Sequence, residues 1–182
     1  MGRIKQLLPY GDGSLLELAL EHALASQVDA VYCVLGAHAN QIQKKIKNSG
    51  VTFITNPNWE KGLSSSIVAG VSYLESAKKT PEAVLVMLAD QPYVDTHYLE
   101  ALIACHNKHP EHIVASSYRG VKGVPALFPK QYYQELLKLK GDKGAKAFLN
   151  NKTVDTLVIT SKKKQTLMDV DTPEDYNNLL EG

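Results

Sequence analysis

The sequence predicts a single α/β domain in which helices cover both faces of a mostly parallel sheet, and three features lead to it. Segments with helical apolar spacing alternate with short apolar runs along the whole chain, the pattern of consecutive βαβ units. The run AVLVMLA at 83–89 is continuously apolar and partly β-branched, as expected of a strand covered on both faces. No linker or internal repeat divides the 182 residues, of which 44% are hydrophobic and 21% charged, so residues 1–182 form one domain with ample material for a core.

From Ser14 to Ser26, SLLELALEHALAS has the periodicity of a helix with Ser14 as its N-cap. DAVYCVLG at 29–36 reads as a buried strand. A polar helix near 39–48, a short strand VTFIT at 51–55 and a small-residue helix from Ser65 to Ala77 follow. After the 83–89 strand come a helix at 95–108, a strand HIVASSY at 112–118 and an extended VPALFP. Helices near 130–139 and 142–150, strands near 154–159 and 166–170, and a last helix from Pro173 complete the chain, with Lys162 to Lys164 in a solvated turn.

Composition excludes several function classes. Twenty Lys and Arg against nineteen Asp and Glu give a formal charge of +1, so no global field draws the chain to nucleic acid or to an anionic membrane, and an anionic ligand must be held locally. No apolar run approaches the roughly 18 residues of a membrane span, and the first residues do not form a signal peptide, so a cytoplasmic setting is expected. Cys33 and Cys105 have no partner at metal-site spacing and read as small buried hydrophobes. The six histidines form no spaced ligand set such as H-E-x-x-H, which argues against a zinc enzyme.

In an open α/β sheet, ligands bind beyond the carboxyl ends of the strands, so the segments after each strand should carry the chemistry. These are GAHAN, NPNWEKGLSSS, DQPYVD and DVDTPED. Asp90 ends a central apolar strand, where a carboxylate is costly unless paired, bound to metal or at a crevice edge. Two readings stand for it: a Mg²⁺ ligand, since hard oxygen donors suit that ion, or a cap of the turn before Gln91 and Pro92. Asp169 and Asp171 are candidates for further carboxylate ligands, whereas Thr172, Pro173 and Asp175 compose an ordinary helix start and are assigned to structure. Gly62 to Ser66 is either an anion site at a helix N-terminus or a plain serine cap, the latter favoured. In GDKGAK at 141–146, Asp142 reads as a helix cap with Lys143 and Lys146 solvated, and Lys5 by itself reads as a surface lysine.

Taken in order, MGRIKQLLP, VLGAHA, NPNWEKGLSSS, LADQP, GDKGAKAFL and DVDTPED resemble the molybdenum-cofactor cytidylyltransferases, a branch of the nucleotidyltransferases with a Rossmann-like three-layer sandwich. Each motif is weak alone, but their ordered co-occurrence over almost the whole chain is specific. The resemblance implies that the phosphate of molybdopterin attacks the α-phosphate of CTP with loss of pyrophosphate, and that the product passes to a molybdenum enzyme. It implies that Lys5, with Arg3 as a second candidate, neutralises the triphosphate while Asp90 and Asp169 or Asp171 hold Mg²⁺. It places Asn56, Ser64, Ser65, Ser66 and Gln91 along the nucleotide or pterin crevice. LADQP favours CTP, because the guanylyl branch has Asp-Thr-Pro or Asp-Ser-Pro there. Alternative readings are GTP as donor, another phosphorylated acceptor, or a nucleotide-binding module with impaired turnover.

The departure from the family pattern is at the start: its first strand and glycine-rich loop would precede Met1. In a sheet of order 3-2-1-4, that strand separates 29–35 from 83–89, and its absence leaves facing rows of unpaired backbone groups at about 1–3 kcal/mol each. The expectation is therefore residues upstream of Met1 in the natural protein, or a defect in the sheet at that place.

Overall fold

In the computed structural model, residues 4–47, 50–118, 120–161 and 166–181 are described. The N-terminal segment makes a short helical turn at Lys5–Leu7 and a small antiparallel hairpin, β1 (Pro9–Tyr10) and β2 (Gly13–Ser14). Helix α1 (Leu15–Ala25) starts where the sequence places it: Ser14 is extended and its side chain accepts the Glu17 N–H. Next come β3 (Val31–Leu35), α2 (Ala39–Lys45), β4 (Val51–Thr55) and α3 (Leu63–Ser76). Then follow β5 (Ala83–Val86), α4 (Thr96–Lys108), β6 (Ile113–Tyr118) and β7 (Val121–Pro129). The C-terminal third holds α5 (Tyr133–Leu136), α6 (Lys146–Leu149), β8 (Thr156–Thr160) and α7 (Pro173–Glu181).

The α/β class is as the alternation predicts, but the sheet is mixed and divided. β3 and β4 pair in parallel, and a second sheet has the order β5-β7-β6-β8. β7 runs antiparallel to both neighbours, whereas β6 and β8 are parallel. The extended VPALFP is thus the second half of a nine-residue strand inserted at the centre of the larger sheet. A tight hairpin with Tyr118 opposite Val121, and Gly120 at φ +82°, turns β6 directly into β7. Among the described residues no ladder joins β3 to β5, so the sheet is split at the expected place.

β5 is shorter than the apolar run that encodes it. Its ladder ends at Val86 opposite Ala126, and the next residue of β7 is Pro125, which has no N–H to donate. All four β5 residues are half-buried rather than sealed. The strand expected at 166–170 is absent: Thr166–Val170 is irregular, and Val170 N–H donates to the Asp90 carbonyl at 2.9 Å.

Strand periodicity sorts the core into two faces. Ile113, Ala115, Ala126 and Phe128 pack with Ile67 and Val71 of α3 and with Leu136 and Leu149. Val114 and Leu127 face the other way, onto Leu99, Leu102 and Ile103 of α4. A third cluster joins α1, α2 and β3 through Leu16, Leu20, Cys33, Leu35 and Ile42. Cys33 is a buried free thiol whose pKa burial pushes up to about 11, and Cys105 is half-buried, so both act as apolar filler.

Candidate active site

The turn at Lys5–Leu7 is pinned from both sides. Ile4 and Leu7 pack on the α1–β3 cluster, Leu8 is buried beside Leu15, and Leu15 N–H donates to the Leu8 carbonyl at 3.0 Å. This fixes the start of the Lys5 side chain, and its ammonium reaches the loop after β5. Lys5 Nζ donates to Asp90 Oδ2 at 2.7 Å and to Asp171 Oδ1 at 2.8 Å. Asp171 comes from the segment before α7, which is bound to Asp90 through the Val170 N–H. From the same segment, Asp169 Oδ1 accepts from Gln91 Nε2 at 2.9 Å. Five of the residues selected in the sequence therefore meet at one place: Lys5, Asp90, Gln91, Asp169 and Asp171.

The electrostatics are those of an acidic site with one cation. Partial burial, the largest single influence, pulls Lys5 down, but the hydrogen bonds to Asp171 and Asp90 and their charges outweigh it, so its pKa lies above the ordinary value. Asp169 is exposed as a residue, yet desolvation of its carboxyl, followed by the like charges of Asp90 and Asp171, holds its pKa above the usual carboxylate value against the Gln91 bond and Lys5. Asp90 Oδ1 and Gln91 Oε1 are buried without a hydrogen-bond partner. A buried carboxylate oxygen with no donor is an open acceptor site. The three carboxylates do not converge on a single point; Lys5 and Gln91 stand between them. One or two of them can nonetheless serve a hard cation whose remaining positions are filled by water and phosphate oxygens, and the unpartnered Asp90 Oδ1 fits that role.

A second group lies at the start of α3. Asn56 follows β4 and is buried, with its N–H on the Leu35 carbonyl at 2.8 Å. Its Nδ2 donates to Ser65 Oγ at 2.8 Å and to Ser66 Oγ at 3.2 Å, and its Oδ1 accepts the Asn58 N–H. Ser64 is not open to a ligand: its side chain is fully buried and donates to the Gly144 carbonyl at 3.4 Å. The helix N-terminus is also partly satisfied internally, since Ser64 N–H goes to the Gly141 carbonyl and Ser65 N–H to that of Gly62. This favours the structural reading of Gly62 to Ser66 over an anion site. Among the described residues, no hydrogen bond joins this group to the Lys5 cluster. Arg3 lies outside the described residues, as does the triple lysine.

Other sequence expectations divide. Asp175 Oδ2 accepts from the N–H groups of Asp171 and Thr172, and Thr172 Oγ1 accepts the Asp175 N–H, so Thr172 to Asp175 is the helix start predicted. Those bonds, the Thr172 side chain foremost, hold the Asp175 carboxyl below its ordinary range. Asp142 does not cap a helix, because α6 begins later with Ala145 before it; its Oδ1 lies over Gly62 instead. The docking of Gly141–Gly144 onto the α3 terminus escaped the sequence reading, and the spaced glycines were its trace.

Residues 1–157 match the family model described as the MobA-like NTP transferase domain. The chain belongs to this family. Among curated relatives of this MobA-like domain, the purine catabolism protein PucB of Bacillus subtilis is 31% identical, over 97% of this chain and 88% of the relative. The nicotine blue oxidoreductase of Paenarthrobacter nicotinovorans is 29% identical over 97% and 87%. More distantly, the molybdenum cofactor cytidylyltransferase of Escherichia coli is 22% identical over 97% and 86%. The crystal structure of Rv0371c from Mycobacterium tuberculosis in complex with manganese superposes with a TM-score of 0.78 at 27% identity, covering 100% of this chain and 94% of that one. The MobA-like assignment makes this chain a member of a nucleotidyltransferase family.

Proposed function

We propose that this MobA-like protein transfers CMP from CTP to the phosphate of molybdopterin and releases pyrophosphate. The observation that carries the reading is the Lys5–Asp90–Asp171 cluster, with Asp90 Oδ1 left open beside the ammonium. Phosphoryl transfer of this kind needs positioning and charge neutralisation rather than a covalent nucleophile. A phosphate oxygen of the acceptor forms a bond to the α-phosphorus of CTP as the bond to the β-phosphate oxygen breaks, and pyrophosphate carries the electron pair away. Lys5 neutralises the triphosphate, with Arg3 as the second cation proposed for that task. Asp90 and Asp169 or Asp171 would hold Mg²⁺, which supplies charge neutralisation for the phosphate oxygens. Because Lys5 is already paired with two carboxylates, it is pre-positioned and stays charged at neutral pH. Gln91 orients Asp169, and Asn56, hydrogen-bonded to Ser65 and Ser66, is proposed to line the crevice with them. The motif LADQP supports CTP, the distant cytidylyltransferase relative supports the acceptor, and a molybdenum enzyme is the proposed recipient.

Pyrophosphate release with CTP, GTP or ATP, each with molybdopterin or a sugar phosphate and with Mg²⁺ or Mn²⁺, tests the reading. CTP with molybdopterin should be the productive pair. Release with a sugar phosphate alone would replace the acceptor, and tight CTP binding without release would make the chain a binding module.

A further inference from the structure

The end of α4 gathers a set of ligands that the sequence spacing did not reveal. Its last turn runs into His109-Pro110-Glu111-His112, a tight reversal in which His112 N–H donates to the His109 carbonyl at 3.1 Å. The reversal brings the two imidazoles edge to face with centroids 5.9 Å apart. One donor atom from each of His109, Glu111 and His112 lies within 4.8 Å of the others. Tetrahedral zinc at about 2.0–2.2 Å from nitrogen and oxygen ligands needs separations of roughly 3.3 Å, a closure that rotation of the exposed His109 and Glu111 side chains can supply.

A second observation points to a ligand. His112 Nδ1 is buried and already faces Glu111 Oε1 at 2.7 Å, so two of the three candidate donor atoms are turned toward one another. The other ring nitrogen, Nε2, lies 3.1 Å from Asp155 Oδ2, immediately before β8. A carboxylate behind one ring nitrogen, with the other nitrogen turned to a second candidate ligand, is the arrangement that orients a metal-ligating histidine. The negative end of the α4 dipole also favours a cation here.

We propose that His109, Glu111 and His112 form a binding site for a borderline transition-metal ion of the zinc class, with Asp155 as a positioning residue behind His112. The site is remote from the crevice. β5 and β6 both run antiparallel to β7 and so run parallel to each other. Asp90 follows the carboxyl end of β5, whereas His112 precedes the first residue of β6, at the opposite end of the strands. A bound ion would tie the end of α4 to the start of β8 and take no part in nucleotidyl transfer.

Zn²⁺ titrated into the full chain against a chromophoric chelator tests this. One equivalent should bind at micromolar affinity and raise the melting temperature. His109→Ala and His112→Ala should each remove that equivalent, and Asp155→Asn should weaken it about tenfold or more. Metal-free melting of each variant establishes that it folds, and because His109 is exposed, His109→Ala is the variant that retains the wild-type melt. No micromolar binding to the wild type, binding that survives the double histidine variant, or loss of the equivalent in Asp90→Asn instead would each overturn the proposal.

Discussion

Lys5 is linked to two carboxylates contributed by segments 85 and 166 residues away in the chain, so its replacement acts on charge as well as on contact. Among the described residues, Lys5→Ala leaves Asp90, Asp169 and Asp171 without a paired cation. Its turnover should fall about 10²–10³-fold, the usual loss for one preorganised electrostatic contact, as read by pyrophosphate release. Asp169→Asn should separate stability from activity. The raised pKa means that the stability associated with Asp169 is present below the ordinary carboxylate pKa and is lost as pH rises through the folded value. At neutral pH the ionised group is therefore unfavourable to the unliganded fold, and Asn still accepts from Gln91. The variant should melt slightly higher at pH 7, by less than about 1 kcal/mol given solvent screening, with no gain at pH 3. Its metal-dependent turnover should fall. Thermal melts at both pH values check the sign. Asp90, Asp169 and Asp171 were readable because acids after apolar runs are conspicuous. Lys5 was marked only by the family resemblance, since by itself a lysine in MGRIKQLLP looks solvated until its partners are known.

Elements with intact local signals came out as read. Ser14 caps α1 and also donates to Glu17 Oε2 at 2.8 Å, so Ser14→Ala should cost about 1 kcal/mol in urea unfolding. Gly62 is the more severe position. It has φ +93° and ψ 176°, and a Cβ there would meet Asp142 Oδ1 at 2.1 Å and the Gly141 carbonyl carbon and oxygen at 2.7 Å. Gly62→Ala combines a conformation open essentially to glycine with a backbone clash. It should lose at least about 1–3 kcal/mol, with parallel loss of the Ser64–Gly144 contact. If it unfolds at the wild-type urea midpoint, the docking of Gly141–Gly144 onto α3 is wrong. Short elements were less legible. The helices expected at 130–139 and 142–150 shrink to Tyr133–Leu136, entered through a helical turn at Lys130–Tyr132, and to Lys146–Leu149; Gly141 lies beyond the first and Asn150 and Asn151 follow the second, all poor helix formers. β7 was hidden by its glycine and proline, which interrupt the pattern of a strand otherwise buried at the sheet centre.

The whole molecule is a divided sheet with its acidic site near the division. β5 pairs only with β7, and β3 only with β4, so each leaves one ladder edge unpaired among the described residues. Native-state hydrogen exchange should therefore find β3 and β5 less protected than β6, which is paired on both sides and carries Ile113, Val114 and Ala115 at 0% exposure. Equal protection of all three strands would contradict the division. No helix among the described residues is long and apolar enough to cross a membrane, in keeping with the composition. By itself the sequence determined the α/β class, most helices, the two cysteines as filler, and the acids that gather about Lys5 and Gln91, because periodicity, capping and strand-end carboxylates are local signals. Only the tertiary structure decided that β7 enters the sheet antiparallel, that Ser64 is sealed away, and that Lys5 joins Asp90 to Asp171. It also decided that His109 and His112 close on Glu111. Each of those outcomes depends on contacts whose direction or geometry local periodicity does not encode.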